Sequence, residues 1–363
     1  MKKPILVALI VTFVVAYLIA GCAIKNEAAQ PVRTAATPVR TTVTIVDDVG
    51  RKVEIPQPLE RVVAINGSYG PEILLAFGVR DRIAGVADYA KERAELASLL
   101  KDVPAVGKSS SPNTEKVLQL NPEVLIAYES FYPYPESLTQ ALDRAGIKLV
   151  VMDFHKPEIY ARNVRTLGML LGKEKRAEDL IGFERQHLDL IEQRVKDLKP
   201  EQRVRVYLEL YKDYQTVAPG HPDHEGITLG GGINVFAGEP VKSPTVSPEA
   251  VVSRNPQVII KHVSKDNLPE SGYGVTDTRP MENFRSRMMK RPGWDHIDAV
   301  KNGRVYVIST DAKSTHPSIF YSYYAKAFYP DRFQDTDPVA AHREWFRKFL
   351  GIEYKGLYAY PSP

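Results

Sequence analysis

Cysteine is almost absent from this sequence, since Cys22 is the only one in 363 residues. A disulfide framework and a metal site built from several cysteines are therefore excluded. Cys22 ends an apolar leader outside any plausible folded domain, so we do not expect it to act as a catalytic thiol. The formal net charge is +4, but the lysines and arginines form no cluster, which argues against nucleic acid as a partner.

Motifs that would identify an enzyme are also missing. No His-x-x-x-His helix, nucleophile elbow or paired-carboxylate motif stands out in the sequence. The three glycines at 230–232 lack the Lys-Ser/Thr that follows in a phosphate-binding loop. We therefore expect a protein that is not an enzyme and has no intrinsic cofactor.

A long apolar run opens the chain. Two lysines precede Pro4–Ala20, and small residues lead from this run into Cys22. This pattern is typical of a lipoprotein signal peptide, predicted here over residues 1–22 with the lipid on Cys22. An uncleaved anchor is the alternative, because an apolar run of this length nearly spans a bilayer. Residues 23–42 are small, polar and proline-bearing, which predicts a flexible tether that links an extracytoplasmic protein to the membrane.

Two similar blocks occur in the remaining chain, EKVLQLNPEVLI at Glu115–Ile126 and EAVVSRNPQVII at Glu249–Ile260. Each predicts a short helix that begins at the glutamate and ends before Asn-Pro, because the residue before a proline leaves the helical region. The apolar residues that follow predict a buried strand. One unit used twice indicates two related lobes.

One long helix is predicted between the two blocks, over Lys173–Leu198. Apolar residues recur at spacings of three, four and seven, so they share one face, and Glu184 is the polar interruption of that face. Lys199-Pro200 ends the helix. Its length would be roughly 40 Å, about the width of a small domain.

Apolar strands alternate with helices through both halves, which predicts an α/β fold with parallel sheets. The predicted strands are 61–65, 82–86, 124–127, 148–152, 203–210, 258–260 and 304–308, after a hairpin at 43–58. Further helices are predicted at 71–77, 318–328 and 340–350, and the run Gly230–Val235 is expected to lead into a helix. The domain prediction is an N-terminal lobe at 43–156, a bridging helical segment at 157–199, a C-terminal lobe at 200–350 and a tail at 351–363.

Several of these stretches together resemble a known family. They are the leader, the opening VTIVDDVGRKVEIPQPLERVVAI, the repeated Glu…Asn-Pro blocks, GGGINVFAG and KNGRVYVI. In order and spacing the chain is similar to substrate-binding lipoproteins of ABC importers of the iron–siderophore, haem and cobalamin class. The resemblance implies two Rossmann-like lobes joined by one long rigid helix, a monomer, small closure and a cleft between the lobes.

The resemblance also implies a function and partners. Such a receptor would capture an iron chelate, haem or a corrinoid outside the membrane and deliver it to a permease and its ATPase. In this family one glutamate on each lobe meets arginines of the permease, and Glu115 and Glu249 match by motif and by symmetry. A carboxylate at a helix start can accept a bidentate arginine, but glutamate is also an ordinary residue in a first helical turn.

The cleft should be lined by loops at the carboxyl ends of the strands. Tyrosine suits such a site because its ring stacks on flat ligands while its hydroxyl bonds. The candidates are Asn66, Ser68, Tyr69, Asp88, Tyr89, Lys108, Tyr128, Glu129, Tyr132, His155, Tyr211, Tyr214, Lys261, His262, His316 and Tyr321.

Metal binding by the protein itself is a weaker hypothesis. His221, Asp223 and His224 share one turn-rich segment and could bind a divalent or ferric ion, although we favour an exposed polar loop as the explanation. With His316 as a third ligand they would suit an exported metalloenzyme, an alternative function. Another alternative is molybdate or tungstate as cargo, bound by loop N–H groups and hydroxyls at 66–68 and 109–111.

Overall fold

An antiparallel hairpin opens the part of the chain that the computed structural model describes, residues 40–363. As the alternating pattern predicted, β1 (Thr41–Val46) pairs with β2 (Lys52–Gln57). Asp47 closes the turn by accepting the Arg51 backbone N–H at 2.9 Å. The predicted signal peptide, Cys22 and most of the predicted tether lie outside the described residues.

The N-terminal lobe is built on a four-stranded parallel sheet with the order β4-β3-β7-β8. Its strands and a small hairpin are β3 (Val62–Ala64), β4 (Ile83–Val86), β5 (Gly107–Lys108), β6 (Ser111–Pro112), β7 (Val124–Ala127) and β8 (Lys148–Val151). Its helices are α1 (Tyr69–Ala76), α2 (Asp88–Glu92), α3 (Ala94–Ala97), α4 (Thr114–Leu120) and α5 (Glu136–Arg144). Every residue of β3 and β7 is buried, as expected of a parallel sheet covered on both faces.

Two helices connect the lobes. The first, α6 (Pro157–Leu171), ends at Gly172, whose φ of 64° is a left-handed conformation that glycine adopts readily. The second, α7 (Glu174–Val195), lies within the predicted span and is roughly 33 Å long. It packs against α6 on one side and against a helix of the second lobe on the other, so it forms the bridge.

The C-terminal lobe carries a five-stranded sheet with the order β10-β9-β11-β13-β15. The strands of this lobe are β9 (Arg205–Glu209), β10 (Ile233–Asn234), β11 (Val258–Val263), β12 (Gly272–Tyr273), β13 (Val305–Ser309), β14 (Gly356–Leu357) and β15 (Ala359–Tyr360). Its helices are α8 (Pro222–Leu229), α9 (Pro248–Arg254), α10 (Arg279–Met289), α11 (Asp298–Lys301), α12 (Pro317–Phe328) and α13 (Pro338–Trp345), with a π-turn at Phe346–Leu350. Only β15 runs antiparallel to its neighbour, so residues 351–363, predicted as a tail, add a strand to this sheet.

The repeated block folds in the same way in both lobes. The helices α4 and α9 begin at side-chain caps, Asn113 and Ser247, and end at Asn121 and Asn255. Both of these asparagines are left-handed, with φ of 42° and 40°, which asparagine tolerates better than most residues. Each proline then leads into a central strand, β7 or β11, so the two-lobe prediction is confirmed.

Two local predictions were wrong. The segment Gly230–Val235 does not lead into a helix, because Ile233–Asn234 instead pairs with β9 at the edge of the sheet. The histidine-bearing segment at 221–224 is not an exposed loop. Pro222 opens α8, His221 accepts a hydrogen bond from the Asp223 N–H at 3.1 Å, and Asp223 is buried.

One continuous hydrophobic core joins both sheets to the bridge. It includes Val62 and Ile126 of the first sheet, Leu180 of α7, and Leu208 and Ile260 of the second sheet. None of the helices between residues 40 and 363 is long and apolar enough to span a membrane.

Candidate functional site

Aromatic side chains from three strand ends of the N-terminal lobe stack on one another. Tyr69 opens α1 after β3, Tyr128 follows β7, and His155 follows β8. The rings of Tyr69 and His155 are 4.7 Å apart and nearly parallel, and the ring of Tyr128 lies 5.7 Å from that of His155. The topology of a parallel sheet brings these residues together, because the carboxyl ends of all its strands share one edge.

A buried ion pair lies at the corresponding edge of the C-terminal lobe. The Lys313 ammonium, in the loop after β13, donates to the Asp223 carboxylate at 2.9 Å. His262, in β11, has its Nδ1 3.7 Å from Asp223, and its Nε2 meets the Tyr324 hydroxyl. All four side chains are buried.

The two groups are close enough for the charge of Lys313 to act on the aromatic residues. Burial, followed by the nearby charge of Lys313, lowers the pKa of His155 to about 3. The pKa of Tyr69 is raised by burial and by Tyr128, while Lys313 acts against that rise. We call Tyr69, Tyr128, His155, Asp223, His262 and Lys313 the cleft cluster.

The electrostatics of the cleft cluster leave one lysine charged and both histidines neutral. Burial alone would raise the pKa of Asp223, but Lys313 and His262 hold it below its ordinary value. Burial lowers the pKa of His262 to about 4 against the opposing effect of Asp223. Neutral imidazoles can accept hydrogen bonds or ligate a metal. The Nδ1 atoms of His155 and His262 have no hydrogen-bond partner among residues 40–363.

Two exposed tyrosines border the cleft cluster. Tyr89 and Tyr211 are each 45% exposed. The Tyr211 hydroxyl donates to Thr310 Oγ1 at 3.1 Å, and its ring lies 6.5 Å from that of His262. A ligand resting on the cluster would therefore meet tyrosine rings at its edge.

Other predicted cleft residues stabilise the loops of the first lobe. Asn66 and Ser68 are buried, and the Asn66 amide donates to the Met152 carbonyl at 2.8 Å. Asp88 accepts the Gly107 N–H at 3.1 Å, and Glu129 pairs with Lys156. Tyr132 lies under the Arg51 guanidinium, and Lys108 is exposed.

The structure places several candidates of the second lobe elsewhere. Tyr214 packs beneath Arg291 and against Trp294. Lys261 is fully buried and donates to Glu209 at 2.8 Å. His316 does not face the cleft. It lies in a buried cluster in which its Nε2 is 3.7 Å from Glu72 and its ring is 4.9 Å from those of His342 and Trp345. Tyr321 is buried with its hydroxyl 3.5 Å from the Pro222 carbonyl. Burial raises its pKa to about 12 and the charge of nearby Lys313 opposes that rise, so Tyr321 does lie beside the cleft cluster, as predicted.

The two histidines suggested as metal ligands form hydrogen bonds within the second lobe. His221 caps α8, and His224 Nδ1 meets the Asn234 amide at 3.0 Å. Within residues 40–363 no group of three or more His, Cys, Asp or Glu side chains is arranged to hold a metal ion. His221, Asp223, His224 and His316 are therefore not brought together as one ligand set.

Lys313 and Tyr324 were missed by the sequence analysis. Lys313 lies five residues after a predicted strand, as far as Tyr132 does, so the same rule would have included it. Tyr324 lies inside α12 and carries no such signal.

The two docking candidates occupy equivalent positions. Glu115 and Glu249 lie in the first turns of α4 and α9, and both are exposed. Neither forms an ion pair with any residue that the structure describes. Glu249 also lines a cavity of about 610 Å³ together with Tyr214 and Val252.

Comparison with known proteins places this architecture in a family. A family profile described as periplasmic binding protein matches residues 62–312. The uncharacterized ABC transporter substrate-binding lipoprotein YvrC of Bacillus subtilis is 26% identical over 88% of this chain and 96% of its own length. A vitamin B12-binding protein of Vibrio cholerae is 29% identical over 70% of this chain and 83% of its own.

Solved structures agree with these relatives. The TroA-like periplasmic binding protein FepB of Veillonella parvula superposes with a TM-score of 0.75 at 27% identity, covering 87% of this chain and 99% of the other. The molybdate periplasmic binding protein MolA of Haemophilus influenzae has a TM-score of 0.69 at 22% identity over 86% of this chain and 99% of its own, which shows the shared fold. The chain therefore belongs to the periplasmic binding protein family, whose members are the substrate-binding components of ABC importers.

Proposed function

We propose that this protein captures a metal complex, namely an iron chelate, haem or a corrinoid, between its lobes and delivers it to the permease and ATPase of an ABC importer. It would act as a monomer without an intrinsic cofactor. A lipid on Cys22 would hold it outside the cell membrane, in the periplasm or at the cell surface.

The cleft cluster carries this proposal. Two neutral imidazoles, from His155 and His262, each keep an unpartnered Nδ1 that could ligate the metal of a complex. The rings of Tyr69 and Tyr128 lie 6.1 Å apart, and a flat ligand could pack beside them. Lys313 adds a buried cation that would favour an oxygen-rich or anionic group. The relatives named above include a vitamin B12-binding protein, which is consistent with this class of cargo.

The cargo is tested by titrating the protein with haem, cyanocobalamin, a ferric hydroxamate and molybdate in a calorimeter. We expect one of the three metal complexes to bind. Lys313→Met should weaken that binding at least about tenfold, the loss of one charged hydrogen bond, and His155→Ala should weaken it at least as much by removing a neutral imidazole that can ligate the metal. Tyr306→Phe, a half-buried tyrosine of β13, is the control and should bind normally. Unchanged affinity in both cleft variants would overturn the assignment of the site.

Molybdate is the second candidate, favoured by one feature of the first lobe. The Gly67 N–H donates to Ser109 Oγ at 3.3 Å. The two loops predicted to bind an oxyanion therefore meet beside the buried Ser68. Binding of molybdate alone, lost in Ser109→Ala, would replace the metal-complex proposal.

Docking through Glu115 and Glu249 is part of the same proposal. Both carboxylates lie at capped helix starts, where they can accept bidentate arginines. Replacing both with alanine should leave cargo affinity unchanged and abolish uptake in cells. The control replaces Glu136 and Glu282, exposed glutamates in the first turns of α5 and α10. Uptake that survives the first pair of substitutions would exclude docking at these residues.

A further inference from the structure

A groove of about 1170 Å³ runs along the bridge, beside the cleft cluster. The first turns of α6 form one wall, α8 forms the opposite wall, and the face of α7 from Ile181 to Val195 forms the floor. Pockets that hold small molecules typically measure ~300–1,000 Å³. The groove is therefore large enough for a small ligand, and we call it the α7 groove.

Buried polar atoms without partners lie in residues that line the α7 groove. Glu184 of α7 is 2% exposed. Its Oε2 accepts the Ser318 N–H at 3.0 Å, but its Oε1 finds no partner among residues 40–363. The hydroxyl of Tyr160, on α6, is likewise buried and unpartnered. Glu184 raises the pKa of Tyr160, after the larger effect of burial, so the two side chains are near each other.

Such atoms are costly to leave unpaired. A buried polar group without a hydrogen bond costs about 1–3 kcal/mol, and most native proteins avoid this. Ser318, whose backbone N–H binds Glu184, lies at the start of α12. The three residues belong to α7, α6 and α12, so they converge where both lobes meet the bridge.

The remainder of the α7 groove indicates an uncharged and largely apolar occupant. Ile181, Leu188 and Val195 supply apolar floor. Besides Glu184, four carboxylates and four cations line the groove, so their formal charges cancel. Burial raises the pKa of Glu184 to about 8, so its carboxyl group is mostly protonated at neutral pH and favours a neutral hydrogen-bonding partner.

We propose that the α7 groove is a second ligand site, separate from the cleft cluster, for a small uncharged apolar molecule with a hydroxyl or amide that hydrogen-bonds Glu184 and Tyr160. The apolar body of the ligand lies on Leu188 and its neighbours. This inference rests on the groove itself and holds whatever cargo the cleft takes.

The test uses 1-naphthol and 1-methylnaphthalene, which have the same size and differ only in a hydroxyl or a methyl group. Residues 40–363 form one compact unit, and 87% of this chain covers 99% of the solved FepB chain, so this segment folds without the leader and serves for titration. We expect saturable 1:1 binding by calorimetry, with 1-naphthol about fivefold tighter, the effect of one net hydrogen bond. Equal affinities for the two probes would overturn the hydrogen-bonding role.

Three variants locate the binding. Tyr160→Phe should weaken the binding of 1-naphthol about fivefold and leave the affinity for 1-methylnaphthalene unchanged. Leu188→Trp fills the groove and should abolish binding of both probes. Gln193→Trp, on the same helix but outside the groove, should bind as the unmodified protein does. Circular dichroism checks that each variant folds. Binding that survives Leu188→Trp in a folded protein would place the probes elsewhere and refute the proposal.

Discussion

At the scale of single residues, the core of the second lobe contains a buried ion-pair network. Lys261 is fully buried in β11 and donates to Glu209 at 2.8 Å and to the Leu210 carbonyl at 2.7 Å. Arg291 binds the same carboxylate through two nitrogens, at 2.7 and 3.0 Å. Because Glu209 ends β9, this network fixes the chain just before Tyr211, at the edge of the cleft.

Lys261→Met should therefore lower the free energy of unfolding by about 3 kcal/mol. Removal of one partner of a buried ion pair leaves the other charge less compensated, and measured costs are about 3–5 kcal/mol. The smaller value is expected because Arg291 still binds Glu209. Urea unfolding measures the loss, and Lys242→Met, at an exposed lysine, should stay within about 0.5 kcal/mol of the unmodified protein. Equal stabilities of the two variants would contradict the argument.

Glu184 makes stability depend on pH. Burial raises its pKa to about 8, well above the ordinary value near 4.5, although the Ser318 N–H acts against the rise. Between these values the folded state holds a proton that the unfolded state has released, so stability is full at low pH and is lost as pH rises toward 8. One such proton gives a slope of up to about 1.4 kcal/mol per pH unit.

Glu184→Gln should remove the contribution of this carboxyl group to the slope of stability against pH between pH 5 and 8. Some slope will remain, because burial also raises the pKa values of Glu72 and Asp153 to about 7, and both titrate in the same window. Glu178→Gln is the control, because Arg165 lowers the pKa of this exposed carboxylate and it titrates below the window. Melting temperatures across this pH range measure the difference. An unchanged slope in Glu184→Gln would show that the carboxyl group is not buried as described.

At the scale of helices and strands, two glycines of the bridge have opposite roles. A methyl group added to Gly168 of α6 would lie 2.6 Å from the Cβ of Ala177 in α7, so this glycine lets the helices approach closely. Gly182 of α7 is exposed, and a methyl group there would meet nothing within 4 Å.

Alanine at these two sites should thus act in opposite directions. Gly168→Ala should destabilise by about 1–3 kcal/mol, since overpacking pushes α6 and α7 apart. Gly182→Ala should stabilise by about 1 kcal/mol, because alanine is the better helix former. Chemical unfolding of the two variants provides a matched comparison on adjacent helices. If Gly182→Ala also destabilised the protein, the lack of room for a methyl group at Gly168 would not explain the loss of stability in Gly168→Ala.

The elements that could be predicted from the sequence are those with local signals. Asn-Pro marked the ends of α4 and α9, and apolar runs marked the central strands. The cleft tyrosines and His155 followed from their positions after strands. Asp223 stood in a segment that the sequence singled out and Lys313 follows a strand, but their pairing could not be foreseen, because 90 residues separate them and only the tertiary fold brings them together. The segment Gly230–Val235 was assigned incorrectly because pairing with β9, not local sequence, makes it a strand.

At the scale of the whole molecule, the lobes are joined by more than the bridge. Glu72 of α1 accepts hydrogen bonds from Thr315 at 3.1 Å and from Trp345 at 3.3 Å, both in the second half of the chain. Arg93 of the first lobe donates to the Asp311 carbonyl at 3.0 Å. These buried contacts join the lobes in addition to the bridge, and the small closure that the family resemblance implies stays a prediction.

The continuous core predicts that both lobes unfold together. The two tryptophans make this measurable, because Trp294 lies in a core cluster of the second lobe and Trp345 lies at the junction with Glu72. In Trp345→Phe the fluorescence reports Trp294 alone, and in Trp294→Phe it reports Trp345 alone. Within each variant, the urea midpoint by fluorescence should coincide with that by far-ultraviolet circular dichroism, the mark of two-state behaviour. A junction signal that is lost at lower urea than the dichroism would show instead that the lobes separate before they unfold.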